Sequence, residues 1–353
     1  MTARSRAAAF CERFDLRIPI LQAPMAGSTP VALAAAVGTA GGMGALGALN
    51  TSPAGIRDWA AEVRAATNGA FQINLWAPEP DPVRDPVREA AVREKLSAAA
   101  GMPVPEAGPG PFLPDFEAQC AAILAAGPTV FSSIMGVFPP DFVATLKARG
   151  IAWFVNATTV AEAREAEAAG ADAVVAQGAE AGGHRGSFAN SAAEAQLIGL
   201  FALLPQVADA VRVPVIAAGG IMDGRGIAAA LTLGASAVQL GTAYLRCPET
   251  ATHPAWAEAI GRTRPEDTVL TRAFSGRLGR GIANRITEAF SNSVPAPYPV
   301  QRALMAPVRA AAEAAADISR MQAWAGQGAA LSRAEPAADL TRRLWAEAEA
   351  LLP

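Results

Sequence analysis

The chain has 353 residues, 52% of them hydrophobic and 17% charged, with a formal net charge of -3. That length admits one large barrel or two ordinary domains, and the weakly negative charge leaves no electrostatic footprint for nucleic acid. Cys11, Cys120 and Cys247 are far apart with no C-x-x-C spacing, and His184 and His253 are the only histidines, which argues against a disulfide framework and a metal centre. The N-terminus lacks the apolar run of a secretory signal, and no uncharged apolar stretch of roughly 20 residues reads as a membrane span. The expectation is a soluble cytoplasmic protein with no membrane partner.

Short apolar runs alternate with Ala-rich helical segments. Strands are predicted at 19–23 (PILQA), 43–47 (MGALG), 71–75 (FQINL) and 129–133 (TVFSS). Four more follow at 151–156 (IAWFVN), 172–177 (DAVVAQ), 214–218 (PVIAA) and 237–241 (AVQLG). Helix punctuation lies between them. Ser52 and Pro53 start a helix over 53–66, and Thr159 with Glu162 forms the S/T-x-x-E pattern of a capping box. Gly170 ends that second helix, and Asp223 and Gly234 bracket a third. Eight strand–helix alternations predict a parallel sheet closed into a (β/α)8 TIM barrel, with an open doubly wound sheet as the structural rival.

Two regions break the rhythm. Residues 77–114 carry nine prolines and read as a surface insertion with a short helix near 86–100. Residues 246–317, rich in arginine and turn residues, read as a helical cap over the barrel mouth. Residues 318–353 read as amphipathic helix returning to the barrel. The expected division is a barrel of 1–245 and 318–353, and a cap and substrate region of 246–317.

Gly42-Met43-Gly44-Ala45-Leu46-Gly47 spells G-x-G-x-x-G. The dinucleotide fingerprint needs a strand before it and a helix opening within it. Here a helix precedes the run, which itself reads as the second strand, so these glycines serve close packing.

Barrel enzymes place their sites at the C-terminal strand ends, with phosphate commonly held after the seventh and eighth strands. Those two ends read Gly219-Gly220 and Gln239-Leu240-Gly241-Thr242. Glycine lets the backbone N–H groups reach an anion, and Thr242 adds a hydroxyl donor. One such loop alone would read as a turn; two on adjacent strands point to a phosphate site. Asn74 and Gln177 end the third and sixth strands, and their amides suit the mixed donor and acceptor edge of a flavin. Gln177-Gly178-Ala179-Glu180-Ala181-Gly182-Gly183-His184-Arg185-Gly186 places a histidine in a glycine-rich loop at the barrel mouth, a candidate acid/base or anion-binding group. His253 lacks that placement and reads as structural.

PILQAPMAG (19–27), GAEAGGHRG (178–186) and PVIAAGGIMDGRGIAAALTLGASAVQLGTAYL (214–245) together resemble the FMN-dependent nitronate monooxygenases, once called 2-nitropropane dioxygenases. The likeness extends to FQINLW (71–76), RAFSGRLGRGIANR (272–285) and WAGQGAAL (324–331). It implies FMN held by Asn74, Gln177, Gly182, Gly183, Gly219, Gly220 and the run Gln239, Leu240, Gly241 and Thr242. Ala23, Pro24 and Met25 would lie along the flavin ring, and His184 matches the family's active-site histidine. One departure stands out. After the fourth strand the family often carries a histidine, whereas this chain reads Ser132-Ser133-Ile134-Met135-Gly136. The implied reaction converts an alkyl nitronate and dioxygen to a carbonyl compound and nitrite, in a monomer or homodimer. His184 would stabilise the anion when protonated, or act as a base when neutral. The rivals are an NADH-linked FMN reductase acting on enoyl-acyl-carrier protein or quinone, an IMP-dehydrogenase-like barrel, and a non-catalytic flavin-binding module.

Overall fold

A computed structural model describes residues 1–352. Eight parallel strands form the barrel: β1 (Ile20–Gln22), β2 (Gly44–Gly47), β3 (Phe71–Trp76), β4 (Val130–Ile134), β5 (Ala152–Ala157), β6 (Ala173–Gln177), β8 (Val215–Ala218) and β9 (Ala237–Leu240). Their order is β1-β9-β8-β6-β5-β4-β3-β2, and a parallel bridge from Leu21 to Met43 closes the ring. All eight predicted strands are present. Both faces of each strand are covered, so they read as near-continuous apolar runs instead of alternating ones.

Helix α1 (Ala3–Arg13) precedes the barrel and plugs its N-terminal end. Phe10 and Phe14 meet Phe154 inside the barrel at ring distances of 6.2 and 5.0 Å. Outside, α2 (Val31–Ala40), α3 (Pro53–Ala66), α4 (Pro86–Ala100), α5 (Phe116–Ala126), α6 (Pro140–Ala148), α7 (Val160–Ala168), α8 (Leu200–Ala210) and α9 (Gly224–Thr232) occupy the connections. Ser52, Asp85, Asp115, Thr159 and Asp223 each accept an N–H three residues on, which satisfies donors the first turn would leave open. The capping box at Thr159 is only half formed. Glu162 turns its carboxylate to the N–H and hydroxyl of Thr158 and to Phe188 N–H, bracing a loop at the barrel mouth instead.

The cap differs from the sequence expectation. It contains helices α10 (Pro254–Arg262), α11 (Arg285–Ala289) and α12 (Val300–Ala314), but also strands β10 (Thr268–Thr271) and β11 (Gly279–Ile282). β10 pairs antiparallel with β11, and β11 pairs antiparallel with β7 (Gly183–His184), which carries the candidate histidine. The hairpin escapes a periodicity reading because its glycines supply no apolar face. A Cβ at Gly279 would meet the Trp324 ring at 2.9 Å, and one at Gly281 would meet the Ala323 carbonyl oxygen at 2.7 Å. Residues 318–336 are mostly irregular, and the final helix, α13, spans only Ala337–Leu351. The Pro-rich insertion packs its α4 residues Val92 and Leu96 with Phe274, Ile286, Val300 and Leu304 of the cap.

The G-x-G-x-x-G run lies in and just before β2, and its glycines admit neighbouring backbone. A Cβ at Gly44 would stand 2.4 Å from the Ala34 carbonyl oxygen, and one at Gly47 2.6 Å from Ala26 N. Gly44→Ala should therefore lose about 2 kcal/mol or more of unfolding free energy in urea titration, since the obstacle is backbone. Gly108→Ala, with open space at an exposed site, should change it by less than about 0.5 kcal/mol.

Candidate active site

A cavity opens at the C-terminal strand ends. Ala23, Pro24 and Met25 after β1, Asn74 on β3, and Gln177 and Gln239 near the ends of β6 and β9 line it. Gly182, Gly183, His184, Gly219, Gly220, Gly241 and Thr242 line it too. The structure thus brings together every residue singled out from sequence except Leu240. Its side chain is buried in the core, and its carbonyl accepts Ala23 N–H, tying β9 to β1.

The glycine turns have the form of an anion cradle. Gly219 and Gly220 follow β8 with φ of 111° and 71°, a conformation that suits glycine. Among the described residues, no acceptor takes the N–H of Gly219, Gly220 or Gly241. Thr242 Oγ1 accepts Gly326 N–H at 3.0 Å, so its own proton remains free to donate. Unpaired backbone donors converging from two adjacent loops fit a phosphate.

The polar side chains divide by what they already hold. Asn74 donates to the carbonyl and hydroxyl of Ser132 at 3.1 and 3.0 Å, which leaves its amide oxygen without a donor. Gln239 Oε1 accepts from Gln72 at 3.3 Å. Gln177 is more committed than its sequence position suggested. It donates to the His184 carbonyl at 3.0 Å and accepts Gly186 N–H at 2.8 Å. Its first task is to brace the histidine loop.

His184 sits in an aromatic box. The Trp76 ring meets its imidazole edge-on at 4.8 Å, and Trp324 lies at 4.9 Å. Tyr298 stacks on Trp76 at 5.2 Å. Nε2 shares a 2.7 Å hydrogen bond with Ser275 Oγ. Burial, then the charges of Arg277 and Arg302, push the imidazole pKa down from 6.5 to about 3. Burial and the neighbouring guanidiniums thus favour the neutral imidazole. His253 caps α10, its Nδ1 accepting Ala255 N–H at 3.2 Å.

Sequence reasoning did not single out Trp76, Trp324, Ser275, Tyr298, Arg302 or Arg309. The first three lie inside segments quoted for the family likeness, so the signal was present at segment level. Nothing local marks Arg302 and Arg309, which reach the cavity only because α12 folds over it.

The nitronate monooxygenase family model matches residues 9–347. The chain belongs to that family. It is 43% identical over 346 residues to a nitronate monooxygenase of Pseudomonas aeruginosa, covering 96% of this chain and 98% of that one. A nitronate monooxygenase of Paraburkholderia phytofirmans is 42% identical over 342 residues, covering 93% and 92% of the two chains. Among solved structures, nitroalkane oxidase from Streptomyces ansochromogenes superposes with a TM-score of 0.88 at 38% identity, covering 97% of this chain and 98% of that one. FabK from Thermotoga maritima gives 0.75 at 28% identity, covering 97% and 96%. Family membership makes the chain a flavin-dependent oxidoreductase on a TIM barrel. Among the described residues, no helix is long and apolar enough to cross a membrane, and no His, Cys, Asp and Glu cluster could hold a metal.

The depressed His184 pKa has a consequence for stability. The unfolded chain takes up the proton near pH 6.5, whereas the native state resists it down to about 3. The contribution is present above the unfolded value and is lost as pH falls through this window. Denaturant titrations at pH 7 and about 4.5 should show a smaller stability loss for His184→Asn than for the parent chain. Equal losses would mean that the imidazole is already charged in the folded state.

Proposed function

We propose that this chain is an FMN-dependent, cytoplasmic nitronate monooxygenase that converts an alkyl nitronate and dioxygen to a carbonyl compound and nitrite. The observation that carries this reading is an imidazole, boxed by tryptophans, facing the same cavity as backbone N–H groups that no protein acceptor takes. The residues fit FMN. Gly219, Gly220, Gly241 and Thr242 would take the phosphate. Ala23, Pro24 and Met25 would flank the ring, with Asn74, Gln177, Gln239, Gly182 and Gly183 along its polar edge. Bound FMN would supply the electron-accepting centre that neither imidazole nor amide can provide.

The chain's own groups orient the substrate and handle protons. Ser275 fixes the imidazole by its bond to Nε2, and Nδ1 makes no hydrogen bond among the described residues. That nitrogen can accept a proton from a neutral nitroalkane or hydrogen-bond to a bound substrate. Trp76, Trp324 and Trp256 line the cavity and give it apolar walls.

The test begins with colour. Purified protein should carry a blue-absorbing flavin that denaturation releases as FMN. It should then produce nitrite from propionate 3-nitronate under air. His184→Asn should keep the flavin and lose about 100-fold or more in kcat/KM. Full turnover by that variant would remove His184 from catalysis. Rapid anaerobic bleaching by NADH, with none by nitronate, would instead make the chain an NADH-linked reductase.

A further inference from the structure

The charge lining the cavity is one-sided. Among the described residues, no aspartate or glutamate lines it, and its only formal charges are the guanidiniums of Arg302 and Arg309. The two are seven residues apart on α12, two helical turns, and so share one face. Neither is in an ion pair among the described residues. Arg302 donates to Asn50 Oδ1 and, at 3.4 Å, to the Phe112 carbonyl. Arg309 donates to Gln322 Oε1 at 3.0 Å. The acids nearby do not neutralise them. Glu79 is held by Arg277, and Glu313, whose charge reaches Arg309, is exposed.

Both guanidiniums are destabilised by burial, and Arg302 also by the charge of Arg309. Two partly buried like charges held only by neutral acceptors are costly unless an anion joins them. The FMN phosphate is poorly placed to be that anion. Arg302 reaches Asn50, which follows β2, and Phe112 of the insertion. The glycine cradle follows β8 and β9, with β1 standing between it and β2 around the barrel.

Resting on the nitronate reading above, we propose that Arg302 and Arg309 form an anion-recruiting pair that selects the nitronate over the neutral nitroalkane of the same carbon skeleton. The two compounds differ by one proton. Their shapes overlap, and charge is the strongest handle for telling them apart. Burial disfavours the charged form of His184, so the fixed charge at the cavity is that of Arg302 and Arg309. The pair supplies charge-assisted hydrogen bonds, and Arg302 is close enough for its field to depress His184.

The probe is nitrate, a planar oxyanion shaped like the nitronate head group, titrated into FMN-loaded protein and read by the flavin difference spectrum. Freshly dissolved nitroethane is the neutral control. Replacing both arginines by methionine should weaken nitrate binding by about tenfold or more. Nitroethane binding and FMN content should stay as in the parent, and lysine at both positions should recover most of the nitrate affinity. Unchanged nitrate affinity in a folded, FMN-replete double variant would overturn the proposal. So would loss of FMN from that variant, since the pair would then belong to the phosphate. Equal weakening of nitrate and nitroethane would reduce the pair to a packing role. The readout needs no turnover. Failure of the parent protein to form nitrite from a nitronate would therefore sink the activity while leaving the anion site to be judged by itself.

Discussion

Everything at the barrel mouth depends on how one loop is pinned. Residues 178–186 leave β6, cross above the strand ends and return to the cap. Gln177 holds this loop at two points, through the His184 carbonyl and the Gly186 N–H. Arg185 is buried beneath it and donates to the carbonyls of Gln177, Thr158 and Gln196. From above, β7 pairs with β11 and Ser275 takes the imidazole. Gly182 completes the clamp by letting residues 325–326 approach, since a Cβ there would stand 2.5 Å from Gly326 N. The imidazole is thereby fixed from several sides, the confinement that the proposed catalytic role requires.

That confinement sets the electrostatics. Burial makes protonation of His184 expensive, and Arg277 and Arg302 add to the cost. Arg277 is itself buried, paired with Glu79 from the Pro-rich insertion and donating to the Ser187 carbonyl. The insertion therefore takes part in shaping the site, although it lies outside the β/α repeat. In the proposed division of labour, α12 supplies positive charge for an anionic substrate and the imidazole serves proton transfer and hydrogen bonding. The two groups sit on different elements yet remain coupled, since the Arg302 charge helps to hold the imidazole neutral.

The barrel was legible because its strands are buried on both faces and its helices carry explicit caps. TVFSS and DAVVAQ have no other economical reading. The glycine turns at 219–220 and 241 were legible as cavity-lining loops because sites in this architecture recur at fixed strand ends. The cap was not legible. Gly279 and Gly281 are selected for close approach to Trp324 and Ala323, which removes the alternation that marks a strand. Trp76 reads as one more apolar residue at the end of β3 until the fold sets Tyr298 and His184 against its ring. Arg302 and Arg309 sit on a helix whose sequence pattern is ordinary, and their meaning comes only from the acid-free cavity beneath them. Leu240 came with the run 239–242 that the family resemblance implies, and in the fold its side chain is buried in the core and does not line the cavity.

A crystal structure of the protein with FMN tests the account most directly. The account predicts the phosphate within hydrogen-bonding distance of the N–H groups of Gly219, Gly220 and Gly241 and of the Thr242 hydroxyl, with His184 facing the isoalloxazine. A phosphate seated on Arg302 and Arg309, or an imidazole turned away from the ring, would contradict it.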